Sequence, residues 1–286
     1  MNSGFHLLAE SGSSKTEWFL FSERETIAVF QTAGINPDVQ QDQHILRTLQ
    51  SELLPGLKNQ KPEVLHYYGA GLRNPVNRER MESLFFMLFG KIKTGIEHDL
   101  LGAARALFGQ SPGIACILGT GSNSCCFDGK NILKERGGNG FLFGDEGSGA
   151  DLGKALIKKA LDEDLEPMLV DAMEHFAGKK LLEIRRSVHL ALKMNVALAS
   201  WAPFIQQHIQ YTEIREMVIE RFILFIQKTI LKYQEGKTLR AGFTGSVAHY
   251  FKKELLEACE KTGINPGLIL QKPGEALMQF HLKNDN

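Results

Sequence analysis

The chain has 286 residues, 43% of them hydrophobic, with 33 basic and 33 acidic side chains. This length predicts about two domains, and the hydrophobic content is that of a globular protein with a substantial core. The balanced charge excludes a general electrostatic attraction to nucleic acid or acidic membranes. Any anion that binds must therefore be held by a local site.

Two further features exclude other classes. No segment approaches the roughly 20 apolar residues of a membrane span, and the first residues lack the pattern of a signal peptide. The four cysteines form no C-x-x-C pair and have no histidine at zinc-ligand spacing. We therefore expect reduced thiols in a cytoplasmic protein, with neither a membrane nor a nucleic-acid partner.

The first third of the chain predicts an alternation of strands and helices. Three short strands are followed by a helix, a strand, a helix, a strand and a helix. Their predicted ranges are His6–Ala9, Thr16–Phe21, Thr26–Phe30, Val39–Leu54, Val64–Tyr68, Val76–Phe89, Ile92–Ile96 and Leu100–Phe108.

The same pattern restarts after residues 110–113. Three strands are predicted at Ile114–Leu118, Asn123–Phe127 and Ile132–Glu135, and two more at Arg240–Phe243 and Leu268–Gln271. A repeat that occurs only twice indicates duplicated domains rather than a solenoid. We predict domains at residues 1–111 and 112–273, with a helical insertion at about 147–235 and a C-terminal helix, 274–286, that packs back on the first domain.

A short Gly/Ser/Thr turn follows the first strand of each repeat, Ser11–Thr16 and Gly119–Asn123. Such a turn presents several backbone N–H groups and hydroxyls with little side-chain bulk, which suits a phosphate, although hairpins favour these residues anyway. Two matching turns indicate a shared ligand. Neither turn fits a P-loop or a dinucleotide fingerprint, because a strand rather than a helix follows each one.

Three segments in order resemble the motifs of the actin-like ATPase and sugar-kinase superfamily. Ser11-Gly12-Ser13-Ser14-Lys15-Thr16 is similar to the first phosphate motif, Gly119-Thr120-Gly121-Ser122-Asn123 to the second, and residues 242–248 to the adenosine motif. Together with Gly34–Pro37, Glu97–Asp99 and the glycine-rich stretch 137–148, they resemble the N-acetylglucosamine kinase branch of the BadF/BadG/BcrA/BcrD ATPase family. The resemblance implies an α/β fold of two ribonuclease H-like domains, each a mixed five-stranded sheet with helices on both faces, that bind ATP and Mg²⁺ in a cleft.

The resemblance also implies the residues of the site. The phosphates of ATP would contact Ser11–Thr16 and Gly119, Thr120 and Gly121, with Lys15 either near them or solvated at the rim. The adenosine would lie against Gly245, Ser246 and Val247. The sugar would contact Asn36, Asn123, Gly138, Asn139 and Asp145, although Asn36-Pro37 is also a common turn sequence.

Two acidic residues carry the predicted chemistry. Asp99 is the candidate general base, because it lies between a strand and a helix where a carboxylate can accept a proton from an alcohol. The same position also suits a helix cap, and the two roles are compatible. Glu10 stands where the family usually has Asp, the carboxylate that holds Mg²⁺ through water. Its extra methylene leaves ATP binding plausible and puts fast turnover in doubt, because Mg²⁺ demands near-octahedral geometry.

These features predict an ATP-dependent kinase acting on the 6-hydroxyl of N-acetylglucosamine or a close amino sugar. One alternative is a glucosamine or N-acetylmuramic acid kinase. A different class is a sensor that binds ATP or sugar without catalysis, which Glu10 motivates. The long helices of the second half either form a homodimer interface or bury one another.

Overall fold

A computed structural model describes residues 4–12, 14–22 and 25–284. The chain divides into two compact units. Unit 1 runs to Gly109 and resumes at Pro273, and unit 2 spans Gln110–Lys272. The predicted Ser13 contact lies outside the described residues.

Unit 1 contains a mixed five-stranded sheet. Its strands are β1 (Phe5–Ser11), β2 (Lys15–Phe21), β3 (Thr26–Ala33), β4 (Pro62–Gly69) and β5 (Lys93–His98), in the order β3-β2-β1-β4-β5. β1, β2 and β3 are antiparallel neighbours, whereas β4 and β5 run parallel to β1. The parallel strands therefore end at the same edge of the sheet.

Helices cover both faces of this sheet. They are α1 (Asp42–Thr48), α2 (Leu54–Gly56), α3 (Pro75–Phe89), α4 (Asp99–Phe108) and α14 (Gly274–Asn284). Successive strand residues point to opposite faces, so Leu7 joins the core that includes Phe85 of α3, whereas Leu8 joins the cluster that includes Leu277 of α14.

The helix predicted at Val39–Leu54 is more broken than its apolar spacing suggests. It begins at Asp42, and a π-helical turn, Leu49–Leu53, separates α1 from the single turn of α2. Pro55 gives the physical reason. It has no backbone N–H and its ring crowds the carbonyl four residues earlier, so the regular α-helical hydrogen bonding is interrupted there.

Unit 2 repeats the sheet of unit 1. Its strands are β6 (Gly113–Leu118), β7 (Ser122–Phe127), β8 (Ile132–Gly137), β9 (Ala241–Thr244) and β10 (Pro266–Leu270), in the order β10-β9-β6-β7-β8. β6 pairs antiparallel with β7 and parallel with β9, as β1 does with β2 and β4. The predicted fold class, duplicated ribonuclease H-like domains, is confirmed.

Seven α-helices and a 3-10 helix, Ile230–Lys232, lie between β8 and β9, and two more α-helices precede β10. The first set is α5 (Gly140–Phe143), α6 (Gly149–Leu161), α7 (Pro167–Ala177), α8 (Leu181–His189), α9 (Met194–Ala199), α10 (Ala202–Gln207) and α11 (Thr212–Lys228). The second set, both before β10, is α12 (Ser246–Tyr250) and α13 (Lys252–Thr262). The apolar spacing predicted over 181–199 is divided between α8 and α9, because a loop interrupts the helix after His189. No helix in the described part of the chain is long and apolar enough to cross a membrane.

The C-terminal helix α14 packs on β1, β2 and α4 of unit 1. Tyr68 Oη lies 2.8 Å from His281 Nε2. The ring of His281 stacks on His66 with 3.6 Å between ring centroids, and His66 in turn stacks on His6 at 5.8 Å. A column of three imidazoles therefore joins the sheet to the last helix.

This column makes the stability of unit 1 depend on pH. Burial, and after it the positive charge of His281, lowers the pKa of His66 from 6.5 to about 2. Below pH 6.5 the unfolded chain binds a proton that the folded chain does not. We expect the free energy of unfolding of unit 1 to fall by up to about 1.4 kcal/mol per pH unit between pH 6.5 and 5. Urea titrations of Trp201→Phe protein, in which fluorescence reports Trp18, measure this slope.

His66→Phe keeps an aromatic ring and removes the titrating group, so it is expected to reduce the slope. His249→Gln, at an exposed position of unit 2, serves as the matched control and is expected to leave it unchanged. An identical slope in His66→Phe and the parent protein would contradict this account.

Candidate active site

The carboxyl edge of the parallel strands assembles the candidate residues of unit 1. Ser11 of β1 pairs with Gly69 of β4, and Gly69 pairs with His98 of β5. The chain leaves the sheet at the same level on all three strands. Glu10 precedes this level by one residue and Asp99 follows it by one residue, so the two acidic candidates share one edge.

The hydroxyls of Ser11 and Thr16 in the first turn bond within unit 1. Ser11 and Thr16 are both buried, and their hydroxyl oxygens lie 2.7 Å apart. The Ser11 hydroxyl also donates to the carbonyl of Ile35 at 3.1 Å. The Gly12 N–H donates to the Lys15 carbonyl at 3.0 Å, which closes the turn. These bonds hold the shape of the turn.

Among the described residues of the same turn, Ser14 and Lys15 are exposed. A Cβ at Gly12 would meet the Lys15 carbonyl at 3.7 Å, so the surface beside Gly12 is open. If a phosphate binds here, Ser14, Lys15 and this open backbone can reach it.

Asp99 is the first residue of α4, and its carboxylate has two described contacts. Oδ1 accepts a hydrogen bond from the backbone N–H of Leu100 at 2.8 Å and lies 3.0 Å from Nε2 of His98. The side chain retains 24% of its exposure. The N-cap of α4 is His98, so Asp99 does not take the capping position considered from the sequence, and part of its carboxylate is accessible to solvent.

Glu10 and Asp99 act on the same buried phenol. Burial raises the pKa of Tyr67, a hydrogen bond with Ser11 lowers it, and the negative charges of Glu10 and Asp99 raise it. The edge of unit 1 therefore carries two acidic groups whose charges both reach the Tyr67 hydroxyl.

Asn36 forms the turn that its Asn-Pro sequence suggests. Its Oδ1 accepts a hydrogen bond from the N–H of Asp38 at 3.0 Å, and its own N–H donates to Oε1 of Gln40 at 2.7 Å. Gly71, with φ of 79°, lies so close that a Cβ there would be 2.3 Å from Asn36 Oδ1. The structural role is thus visible, and a sugar contact would be additional to it.

The second turn, in unit 2, is tied to the start of α6. The N–H of Gly119 donates to the Gly121 carbonyl at 3.0 Å. The carbonyls of Gly119 and Thr120 accept hydrogen bonds from Gly149 and Ala150, the first residues of α6, at 2.8 and 3.1 Å. A Cβ at Gly119 would meet no atom within 4 Å. Hydrogen bonds from the start of α6 therefore fix the backbone of the turn, while the space beside Gly119 is open, as a phosphate-binding loop requires.

Gly245 of the predicted adenosine motif packs directly on this turn. Its φ is 119°, and a Cβ there would lie 2.2 Å from the Leu118 carbonyl. Only glycine combines this backbone conformation with such a close approach. The next residue, Ser246, is exposed, whereas Val247 is 4% exposed and belongs to the core of unit 2. Because the Val247 side chain packs in the core, a contact of adenosine with this residue would involve its backbone.

Asn123, Gly138 and Asn139, all predicted sugar contacts, lie close together at the ends of β7 and β8. Gly138 has φ of 67°, and a Cβ there would be 2.8 Å from Asn123 Nδ2. Asn123 Oδ1 accepts a hydrogen bond from the N–H of Ser124 at 2.9 Å. Asn139 is exposed and immediately precedes α5.

Asp145 is strained and buried beside the second turn. It has φ of 61°, a conformation that non-glycine residues seldom adopt, and is 7% exposed. A Cβ at Gly121 would lie 2.9 Å from Asp145 Oδ2. Burial raises the pKa of this carboxyl, as do the charges of Glu146 and Asp151, while a backbone hydrogen bond from Ser122 lowers it. Such strain is typical of functional positions.

Two residues of these edges were not singled out from the sequence. His98 is 8% exposed and contacts Asp99; its adjacency to Asp99 in the chain was the available signal. Asp151 is 1% exposed, accepts from Arg221 Nε at 2.7 Å and Nη2 at 2.9 Å, and accepts from the Gly147 N–H at 3.0 Å. No local pattern predicts a pair separated by 70 residues.

The residues present fit Mg²⁺ bound with a nucleotide. Within residues 4–12, 14–22 and 25–284, no three His, Cys, Asp or Glu side chains are grouped to hold a metal ion by themselves. Mg²⁺ is usually bound by one or two carboxylates together with water and substrate phosphates. Glu10, beside the first turn, can supply such a carboxylate when Mg²⁺ arrives with ATP.

Solved structures resemble the chain over its whole length. A putative N-acetylglucosamine kinase from Porphyromonas gingivalis has a TM-score of 0.94 and 36% sequence identity, over 98% of this chain and 99% of that chain. A putative N-acetylglucosamine kinase from Chromobacterium violaceum has a TM-score of 0.75 at 18% identity, over 97% and 99%. A putative N-acetylmannosamine kinase from Listeria monocytogenes has a TM-score of 0.52 at 13% identity, over 99% and 100%.

The latter two likenesses show the fold alone. No protein-family model and no curated protein matches the chain. Two sheets of one topology, each with a Gly/Ser turn after its central strand, are those of duplicated ribonuclease H-like domains, and the match at 36% identity places the chain among ATP-dependent carbohydrate kinases. At 36% identity over nearly the full length of both chains, it belongs to the family of the Porphyromonas gingivalis protein.

The open face of the second turn yields a test of the phosphate site. Gly119→Ala adds a methyl group where the protein itself has no atom within 4 Å. We expect an unchanged melting temperature and an affinity for ATP with Mg²⁺ that falls by roughly tenfold or more, about 1.4 kcal/mol, because the methyl enters the space of a phosphate. Differential scanning fluorimetry and isothermal titration calorimetry measure the two quantities.

Gly95→Ala is the matched control, since a Cβ there would make only ordinary contacts at 3.9 Å in the middle of β5. It is expected to retain both stability and ATP affinity. Equal ATP affinity in Gly119→Ala and Gly95→Ala would show that the second turn does not hold a phosphate.

Proposed function

We propose that this kinase transfers the γ-phosphoryl group of ATP to the 6-hydroxyl of N-acetylglucosamine or a close amino sugar. The main support for phosphoryl transfer is Asp99, whose carboxylate is partly exposed at the carboxyl end of β5. The choice of amino sugar is supported by the name of the Porphyromonas gingivalis relative. We assign the chain to the BadF/BadG/BcrA/BcrD branch on the motifs given above.

The proposal assigns different roles to the residues of unit 1 and unit 2. In unit 1, Asp99 accepts the proton of the sugar hydroxyl, and Glu10 binds Mg²⁺ through water. In unit 2, the turn that begins at Gly119 and the backbone around Gly245 bind the nucleotide. Little covalent chemistry falls to the protein in such a transfer, so that positioning and charge stabilisation supply most of the rate.

The proposed sugar contacts are supported by their chemistry and by their grouping. Asn36 and Asn123 carry amides, which both donate and accept hydrogen bonds as a polyhydroxyl ligand requires. Asn139 and Gly138 adjoin Asn123 at the ends of β7 and β8. Asp145 would accept hydrogen bonds from sugar hydroxyls. Glucosamine and N-acetylmuramic acid remain alternative substrates of the same site.

A second candidate function is favoured by Glu10. A carboxylate one methylene longer than the usual Asp displaces Mg²⁺ or its water, and catalytic groups tolerate little displacement. The protein would then bind ATP and sugar as a sensor without efficient turnover. Direct assay separates the two functions, because binding without turnover is expected only of the sensor.

The decisive experiment is a coupled assay with ATP, Mg²⁺ and a panel of N-acetylglucosamine, N-acetylmannosamine, N-acetylmuramic acid, glucosamine and glucose. We expect the highest kcat/KM with N-acetylglucosamine and 6-phosphorylated product by NMR. Asp99→Asn removes the proton acceptor and is expected to lower kcat by about 10²–10⁴-fold while ATP still binds.

Asp171→Asn, at an exposed position of α7, is the matched control and is expected to keep wild-type kcat. Absence of turnover with every sugar, together with intact ATP binding, would exclude the kinase in favour of the sensor.

A separate substitution tests the length of the metal-binding side chain. Glu10→Asp shortens the carboxylate by one methylene, so we expect kcat to rise and half-maximal activity to occur at a lower Mg²⁺ concentration. A Mg²⁺ titration of the initial rate measures both. If neither quantity changes, the length of Glu10 does not limit turnover.

A further inference from the structure

A buried imidazole lies against the carboxylate proposed as the base. His98 is the last residue of β5, and Asp99 is the first residue of α4. His98 Nε2 lies 3.0 Å from Asp99 Oδ1, and the His98 side chain is 10% exposed. The N–H of Leu100 donates to the same Oδ1 at 2.8 Å. Both described contacts of the carboxylate thus fall on one oxygen.

Burial favours a neutral His98 ring. Burial lowers the pKa of His98; Asp99 acts against burial, Arg73 and Arg78 act with it, and Asp38 acts against it. A neutral imidazole carries a single N–H, on either Nδ1 or Nε2. The carboxylate of Asp99 is an acceptor and faces Nε2, which favours the tautomer with its proton on Nε2.

We propose that His98 is a positioning residue for Asp99: its Nε2–H and the Leu100 N–H together hold Oδ1, so that Oδ2 is directed at the substrate hydroxyl. This inference rests on the proposed function of Asp99 as the base. The register of the sheet supports this proposal. His98 pairs with Gly69, which fixes the end of β5 at the edge of the sheet where Glu10 and Asp99 lie.

His98 neither gains nor loses a proton in the proposed transfer. The proton of the sugar hydroxyl moves to Asp99 Oδ2 as the sugar oxygen forms its bond to the γ-phosphorus. The bond from that phosphorus to the β,γ-bridging oxygen breaks, and ADP leaves with the electron pair. His98 keeps its Nε2 proton throughout. Its contribution is to prevent rotation of the carboxylate, which would misdirect Oδ2 and lose near-attack geometry.

Two variants separate the donor from the bulk of the side chain. His98→Leu has similar size and no donor, and we expect kcat to fall by about 10–100-fold, with KM for sugar and for ATP within about twofold of wild type. His98→Gln places an amide N–H near the position of Nε2 and is expected to keep kcat within about threefold of wild type. His66→Phe, in another buried imidazole of the same unit, controls for the loss of a histidine and is expected to keep wild-type kcat.

The double variant tests whether His98 acts through Asp99. If it does, His98→Leu in the Asp99→Asn background causes little further loss of kcat, because the oriented group has already gone. An equal loss in both backgrounds, or a His98→Gln variant as impaired as His98→Leu, would overturn the proposal.

Imidazole ¹⁵N NMR provides a readout that does not depend on activity. With His98→Gln used for assignment, we expect wild-type His98 to show a protonated Nε2 and an Nε2 shift that changes in Asp99→Asn. An unprotonated Nε2 at pH 7 would overturn the positioning role whatever the kinetics. If wild type turns over no amino sugar, the proposed function fails, and this spectrum still decides whether His98 donates to Asp99.

Discussion

The parallel pairing of β1 with β4 and of β4 with β5 sets the positions of Glu10 and Asp99 in unit 1. Because Ser11, Gly69 and His98 are in register, the chain leaves three strands at one level. Glu10 and Asp99 are brought to the same edge although 89 positions separate them in the sequence, the difference between 99 and 10. A shift of one residue would turn each of these side chains to the opposite face of the sheet.

Close backbone packing plays the equivalent part in unit 2. Gly245 can approach the Leu118 carbonyl only because it has no Cβ, and Gly121 leaves room for the carboxylate of Asp145. The second turn is also fastened to the start of α6 by backbone hydrogen bonds from Gly149 and Ala150. Preorganisation of this kind lets a loop hold a charged ligand without reorganising when it binds.

Several parts of the site could be predicted from the sequence. The strand-turn-strand repeat was visible because alternating apolar runs and Gly/Ser turns are local signals. Asp99 was visible as an acidic residue between a strand and a helix. The direction of the Ser11 and Thr16 hydroxyls was not, because their partners, each other and the carbonyls of Ile35 and Ala33, are brought near only by the folded sheet.

Other features of the structure have the same origin. The sequence motif does not tell whether the Val247 side chain faces outward or inward, and only packing within unit 2 places it in the core. The helix predicted at Val39–Leu54 followed its apolar spacing, whereas Pro55 changed the hydrogen bonding of the segment before it.

The sequence by itself determined the class of fold, the two Gly/Ser turns and the identity of the acidic residues, because these depend on composition and short-range pattern. Only the tertiary structure decided which groups of each turn face outward, that Gly245 adjoins the second turn, and that the ring of His98 turns toward the carboxylate of Asp99. These outcomes depend on strand register and on packing between segments far apart in the chain, and no local pattern of residues encodes them.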